Sequence, residues 1–212
     1  MSTPTRAYRS ELRDAQAAQT RARVLDAAAH EFARHGYAGT TLAAIARGAG
    51  VSVETVKLQG AKHALLLGAF EVAFSGRESR EQIMADAGMR AMLAALPEGQ
   101  IVRALARFVA DMNGRAVGVW LAFTGAAPSD PAVRSALDDL LERRRADYEL
   151  VVDELAAHGL LRSERPRAAL AAELSFLCSP EGYQQLVVES GWTAESYRDW
   201  LGRAIERLVL AP

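Results

Sequence analysis

Apolar residues recur along this chain at spacings of three and four, which is the period of a helix and not of a strand. Val24, Leu25, Ala28 and Phe32 form one such face, closed by Gly36. Its helix has two readings: a start at Ser10 and a run towards His35, or a start near Thr20. Residues 1–10 are polar and expected to be a mobile tail. Leu42, Ile45, Ala46 and Ala49 make a second, very short stripe. Thr40 or Thr41 supplies its capping oxygen, and Gly48 and Gly50 mark its exit. Ser52 caps a third helix, with Val51 and Val56 placed as a hydrophobic staple and Glu54 at the positive end of the helix dipole. Gly60 stops it after about two turns.

A fourth helix begins near Ala61, with Leu65, Leu66, Ala69, Phe70 and Ala73 facing the core. A break is expected near Gly76 or Gly88, and a firm one at Pro97-Glu98-Gly99. Ile101, Leu105, Phe108, Val109 and Met112 form the next stripe, which Asn113-Gly114 should end. A separate helix over 117–124 is apolar nearly all round and should be buried. Asp130-Pro131 pairs a capping carboxylate with proline at the first helical position, and predicts a helix running to His158 and Gly159. Another starts near Arg165-Pro166 and carries Leu170, Leu174 and Leu177. Thr193 caps the last, with Trp192 and Tyr197 as a second staple and Trp200, Leu201, Ala204, Ile205 and Leu208 following. The fold class is all-α, with about nine helices: an N-terminal three-helix unit over 1–62 and a larger helical domain over 63–212.

Residues 40–62 are the most specific stretch. Two short helices joined by a four-residue turn are the layout that inserts one helix into the major groove of DNA. The second of them is short and polar. Val56 anchors it, while Val53, Glu54, Thr55, Lys57 and Gln59 stay outside, a mixture of methyls, hydrogen-bonding groups and charge suited to base edges and phosphates. The competing reading is an ordinary polar helical hairpin.

The stretch 20–67 resembles the DNA-binding domain of the TetR family of bacterial transcriptional regulators. The resemblance is carried by Arg23, Val24, Leu25, Ala28, Phe32, Gly36, Tyr37, Thr40, Thr41, Ile45, Ala46, Gly50, Val51, Ser52, Thr55, Val56, Lys62, Leu65 and Leu66. It implies a helix-turn-helix head on a helical ligand-binding and dimerisation domain, in a family whose members are usually repressors released by a small molecule. The DNA-binding set is then Thr40, Thr41, Ser52, Val53, Glu54, Thr55, Lys57, Gln59 and Lys62. Two departures stand out. Lys57 occupies the place of the family's phosphate-touching tyrosine, and Gly60 replaces an aromatic in an exit that is one residue short. Lys57 would meet phosphate as a point charge. Lys62 matches the family's phosphate-contacting lysine at a helix N-terminus, which itself favours an anion.

Composition adds less. The net charge of −1 divides into +4 over residues 1–62 and −5 over 63–212, which puts positive potential at the head. Arg6, Arg9 and Arg13 belong to that excess and are candidates for backbone or minor-groove contact, beside the plainer reading of a solvated tail. Cys178 is the single cysteine, so no intrachain disulfide forms, and it is expected in the core and not as a redox sensor. The longest apolar run, 116–123, is too short for a membrane span, and the start lacks a signal-peptide pattern, so a cytoplasmic protein with no membrane partner is expected.

His30 and His35 are five apart, off a shared helical face, and no metal site is expected. No nucleophile–base pair or phosphate-cradling glycine loop is visible, so neither an enzyme nor a cofactor is expected. The candidate ligand-binding residues are Phe70, Phe108, Met112, Trp120, Phe123, Arg144 and Tyr148, apolar walls with Arg144 turned inward to meet an anionic group. Plain core packing is the other reading of each apolar residue, and that of Arg144 is a solvated charged face shared with Asp138, Asp139, Glu142, Arg143 and Arg145. The expected partners are a double-stranded DNA operator, a second copy of the chain through the last two helices, as the family resemblance implies, and a small-molecule effector. The alternative is a helical carrier or enzyme that does not bind DNA.

Overall fold

A computed structural model describes residues 6–78, 91, 95–161 and 165–210, and among them no strand occurs. Helix α1 spans Arg6–Gly39, with Gly36 at φ 66° breaking its regular path one turn before the end. The structure therefore favours the longer of the two expected starts. Residues 6–10 are helical and not a loose tail, in keeping with the run of Ala, Arg, Glu and Gln that follows them. The suggested DNA contacts of Arg6 and Arg9 lie outside the described side chains.

The two short helices form as their caps dictate. In α2, Leu42–Ala49, Thr41 and not Thr40 is the N-cap; its hydroxyl accepts from the Ala44 N–H. In α3, Val53–Gln59, Ser52 accepts from the Thr55 N–H. Gly50 closes α2 in the left-handed region at φ 62°. Helix α4, Lys62–Ser75, stops where Gly76 takes the same conformation at φ 81°. The second possible break, Gly88, lies outside the described residues.

Helix α5 spans Glu98–Ala126 without interruption, which corrects the expectation of two helices divided at Asn113-Gly114. Neither residue bends the chain. Asn113 is buried, and its Nδ2 donates to the Cys178 and Ser179 carbonyls at 3.1 and 3.3 Å. A Cβ on Gly114 would lie 2.9 Å from the Tyr183 hydroxyl, and one on Gly118 would lie 2.8 Å from the Ala33 Cβ. These glycines let other helices come close.

Helix α6, Pro131–Ala157, begins at the Asp130 cap, which accepts from the Ala132 and Val133 N–H groups. Helix α7 spans Arg167–Leu177. Helix α8 is an addition to the expected set: Pro180–Tyr183, continuing as a π-helical stretch over Gln184–Glu189. Ser179 caps it and proline sits at its first position, the same start signal as Asp130-Pro131. Helix α9, Ala194–Ile205, has its Thr193 cap and continues as π-helix over Glu206–Leu210. The Trp192 ring meets Trp200 at 6.4 Å, while Tyr197 meets Tyr183 and Trp200.

The core has two parts, and the division does not fall at residue 62. One part joins α1, α2, α3 and α4 to the second half of α5 and the first turns of α6, through Val24, Phe32, Ile45, Val56, Leu65, Phe123 and Leu137. The other joins the first half of α5 to the end of α6 and to α7, α8 and α9. Tyr197, Leu201 and Ile205 of α9 are buried within their own chain by this second part.

Candidate DNA-binding head and effector region

Within the head, α3 hangs on one buried side chain, Val56. Two arginines of α1 hold the hairpin from below. Arg23 donates to the Ala49 carbonyl and, at 3.1 Å, to the Gly50 carbonyl, closing the end of α2. Arg21 donates to the Gln59 carbonyl at the end of α3 and pairs with Glu78 through both ends of its guanidinium. That hydrogen-bonded pair holds the Glu78 carboxyl below its ordinary pKa. Both cations are thus engaged within the chain, whereas Arg47 and Lys57 on the hairpin are exposed.

The unusual exit of α3 has a local explanation. Gly60 adopts φ 135° and ψ 175°, a conformation strained for any residue with a Cβ, and its N–H donates to the Lys57 carbonyl at 3.2 Å. Arg21 holds the Gln59 carbonyl just before this turn, which leads through Ala61 into α4.

Of the nine residues expected to touch DNA, Ser52, Glu54 and Lys57 are exposed on α3 or its cap, and Val53, Thr55 and Gln59 are partly so. Ser52 and Thr55 hydroxyls lie 3.0 Å apart. Thr41 is exposed but its oxygen caps α2. Thr40 is buried and its hydroxyl donates to the Gly36 carbonyl at 2.8 Å, so it belongs to the interior of the head. Lys62 is partly buried, with its ammonium 4.5 Å from the centre of the Tyr37 ring.

Lys62 also belongs to a junction that the sequence did not announce. The Tyr37 hydroxyl donates to the carboxylate of Asp130, the residue that caps α6. Burial, and then this bond to an anion, pushes the Tyr37 pKa up to about 12. Asp130 is held below its usual range by the Val133 N–H first, with further help from Tyr37, Ala132 and the nearby His63. Partial burial lowers the Lys62 pKa, and the Asp130 charge opposes the shift. Head and body therefore meet through a tyrosine, a lysine and a helix-capping aspartate. Arg115 of α5 donates to the Ala73 and Phe74 carbonyls at the end of α4, a tie within the body.

The candidate effector residues fall into two groups. Phe70, Trp120 and Phe123 meet in the first core, with ring centres 5.3 and 6.2 Å from Phe70. Arg144 and Tyr148 lie against the second, the guanidinium 5.9 Å from the tyrosine ring and donating to the Ser175 carbonyl. Met112 is buried on α5 and Phe108 is half-buried one turn before it. The adjacent Arg143 turns the other way, to Glu71 of α4 at 3.0 Å. Three buried polar atoms near these groups have no hydrogen-bond partner in the chain: Asn113 Oδ1, Trp120 Nε1 and the Tyr197 hydroxyl.

Cys178 lies beside Tyr148, whose hydroxyl donates to its sulfur, and burial pushes the thiol pKa up to about 12. It should stay protonated at pH 8, so a thiol reagent should label the native protein far more slowly than the urea-unfolded chain; equal rates would contradict this placement. Among the described residues, no three His, Cys, Asp or Glu side chains are grouped to hold a metal ion, and no helix is long and apolar enough to cross a membrane.

Comparison with known proteins places this geometry. Residues 24–56 match the family of bacterial regulatory proteins of the tetR family, and residues 97–210 match the BetI-type transcriptional repressor C-terminal family. No curated protein matches the sequence. Among solved structures, a transcriptional regulator from Saccharomonospora viridis in complex with choline has 21% identity, covers 92% of this chain and 100% of its own, and gives a TM-score of 0.66. The regulator FadR from Bacillus subtilis, in complex with stearoyl-CoA, has 12% identity, covers 87% and 97%, and gives 0.67. A TetR-family regulator from Mesorhizobium loti has 19% identity, covers 90% and 95%, and gives 0.65. Similarity at this level concerns the fold. The second family match alone spans more than half of the sequence, and the first falls on the helix-turn-helix. The chain belongs to the TetR family of transcriptional regulators, a non-enzymatic family, with a helix-turn-helix DNA-binding head and a BetI-type ligand-binding C-terminal domain.

Proposed function

We propose that this protein is a homodimeric repressor that binds a pseudo-palindromic operator and is released from it by a small apolar or amphipathic effector. The observation that carries the reading is α3, a short helix whose one fully buried side chain is Val56, with Glu54 and Lys57 exposed and Thr55 and Gln59 partly so. Thr55 is assigned to base edges, and Lys57 and Lys62 to phosphates. Ala61 gives α4 no side-chain cap, so the first N–H groups of α4 are free to meet the same phosphate as Lys62. Two copies would present their α3 helices to half-sites about 34–36 Å apart, or a multiple of that.

The effector is assigned to the layer along α5 between the two cores. Support comes from the aromatic group at Phe70 and Trp120 on one side, Arg144 and Tyr148 on the other, and the unpaired polar atoms of Asn113 and Trp120. The related structures hold choline and stearoyl-CoA. Arg144 favours an effector with an anionic end over a cationic one. Release is a population shift, limited by the difference in the effector's affinity for the two states. The Tyr37–Asp130 bond is a route by which movement of α6 reaches the head.

The test is DNA binding at two salt concentrations. Affinity should fall steeply as salt rises, and Lys62→Ala should reduce both the affinity and the salt slope, the latter by about one unit. Thr55→Ala should weaken operator over random DNA, whereas Lys57→Ala should weaken both alike. Salt-independent binding, or none, would refute the reading.

A further inference from the structure

Leu58 is 85% exposed, the most exposed of the large apolar side chains in the described structure, and it lies in the last turn of the hairpin's second helix. Nothing in the head uses it. Its neighbour Val56 is fully buried. Two helical steps of about 100° each carry Leu58 to the side of α3 directly away from that anchor. Glu54, one turn earlier, shares this outermost face at about 40° from Leu58, and Thr55 and Lys57 lie on opposite sides of Leu58 at about 60° and 100°. An apolar side chain left in water contributes nothing to folding, and a polar residue at this place would fit a helix surface as well. The exposed face around Leu58 carries one charge of each sign, Glu54 and Lys57, and Lys57 is the group there that can meet a phosphate.

We infer that Leu58 is a sequence-reading residue that packs on the C5-methyl group of a thymine in the major groove. The inference rests on the DNA-binding reading above and names a specificity contact within it. Among base edges in the major groove, only thymine presents an apolar group, and aliphatic side chains distinguish it by contact. Leucine has no hydrogen-bonding group, so it cannot compete for the donors and acceptors of the other bases. It also adds no charge, so it gives sequence preference without general affinity. Glu54 beside it accepts hydrogen bonds only, which sets the neighbouring position against bases that present acceptors alone.

The experiment is selection of binding sites by the full-length protein from a pool of random duplex DNA, run in parallel with Leu58→Ala. The wild type should enrich half-sites with a fixed thymine at one position, and the variant should lose preference there while keeping the rest of the half-site. Replacing that thymine by deoxyuridine, which removes only the methyl, should weaken the wild type by about 3–10-fold and leave Leu58→Ala unchanged. The exposure of Leu58 means that the variant should unfold at the wild-type temperature. If Leu58→Ala selects the same thymine, or if deoxyuridine at every thymine of the half-site leaves the wild type unaffected, the contact is refuted while DNA binding stands. If the wild type enriches no sequence at all, the operator-binding reading falls with it.

Discussion

Phe123→Ala should lower the free energy of unfolding by about 3–5 kcal/mol, the cost of removing a fully buried aromatic from a packed core. That is a large part of the roughly 5–15 kcal/mol that holds a typical domain together. Phe123 lies on α5 with its ring 6.2 Å from Phe70 of α4, in the part of the core that also contains Phe32 of α1 and Ile45 of α2. Its removal should therefore loosen the head as well as the body. Urea unfolding followed separately by a probe in each, at one fixed protein concentration, should shift both transitions together. If Phe123 is instead mainly a wall of the effector site, the loss should stay below about 1 kcal/mol. Such a result would return this residue to the ligand-binding set at the expense of the core.

The second large effect concerns assembly. Phe176 of α7 is 77% exposed, Val188 of α8 is 59% exposed and Leu208 beyond α9 is 56% exposed. They lie on or beside the elements assigned to the dimer. Arg165 links two of these elements, pairing with Glu173 of α7 and donating to the Leu208 carbonyl. Phe176→Glu combined with Leu208→Glu should turn a dimer into a monomer in sedimentation. Operator affinity should then fall by about 100-fold or more, because the second half-site is no longer bound at high effective concentration. Binding of each protomer to random DNA should change little. A dimer that survives both substitutions would place the interface elsewhere.

Local signals were legible in the sequence and distant ones were not. Thr41, Ser52, Asp130 and Thr193 all act on N–H groups two or three residues ahead, so each cap could be read from its own neighbourhood. Asn113-Gly114 reads as a turn by the same kind of rule, yet the helix continues. The Asn113 amide is taken by carbonyls 65 and 66 residues away, and the Gly114 position by Tyr183. No local pattern contains that information. Helix α8 is a different case: Ser179-Pro180 was as readable as Asp130-Pro131.

The head followed the same division. The outward set on α3 follows from helical geometry around Val56, but it does not contain Leu58, the side chain that the fold leaves most exposed. Thr40 looked available because threonine usually is, and only the fold shows its hydroxyl on the Gly36 carbonyl. The arginines of α1 counted towards positive potential in the sequence, whereas Arg21 and Arg23 hold the ends of α3 and α2. The effector region was least legible, since a buried aromatic in a core and one in a pocket have the same spacing.

The core shared by α1, α4, α5 and α6 also limits how this protein can be recombined. A hybrid regulator joined to a foreign body at residue 62 would keep the reading helix but lose Ala116, Trp120, Phe123 and Leu137, against which the head is packed. It would also lose the Asp130 partner of Tyr37. A transplantable head must bring its own floor, so exchange of operator specificity between relatives should succeed by replacing the outward residues of α3 and fail by cutting the chain between α3 and α4.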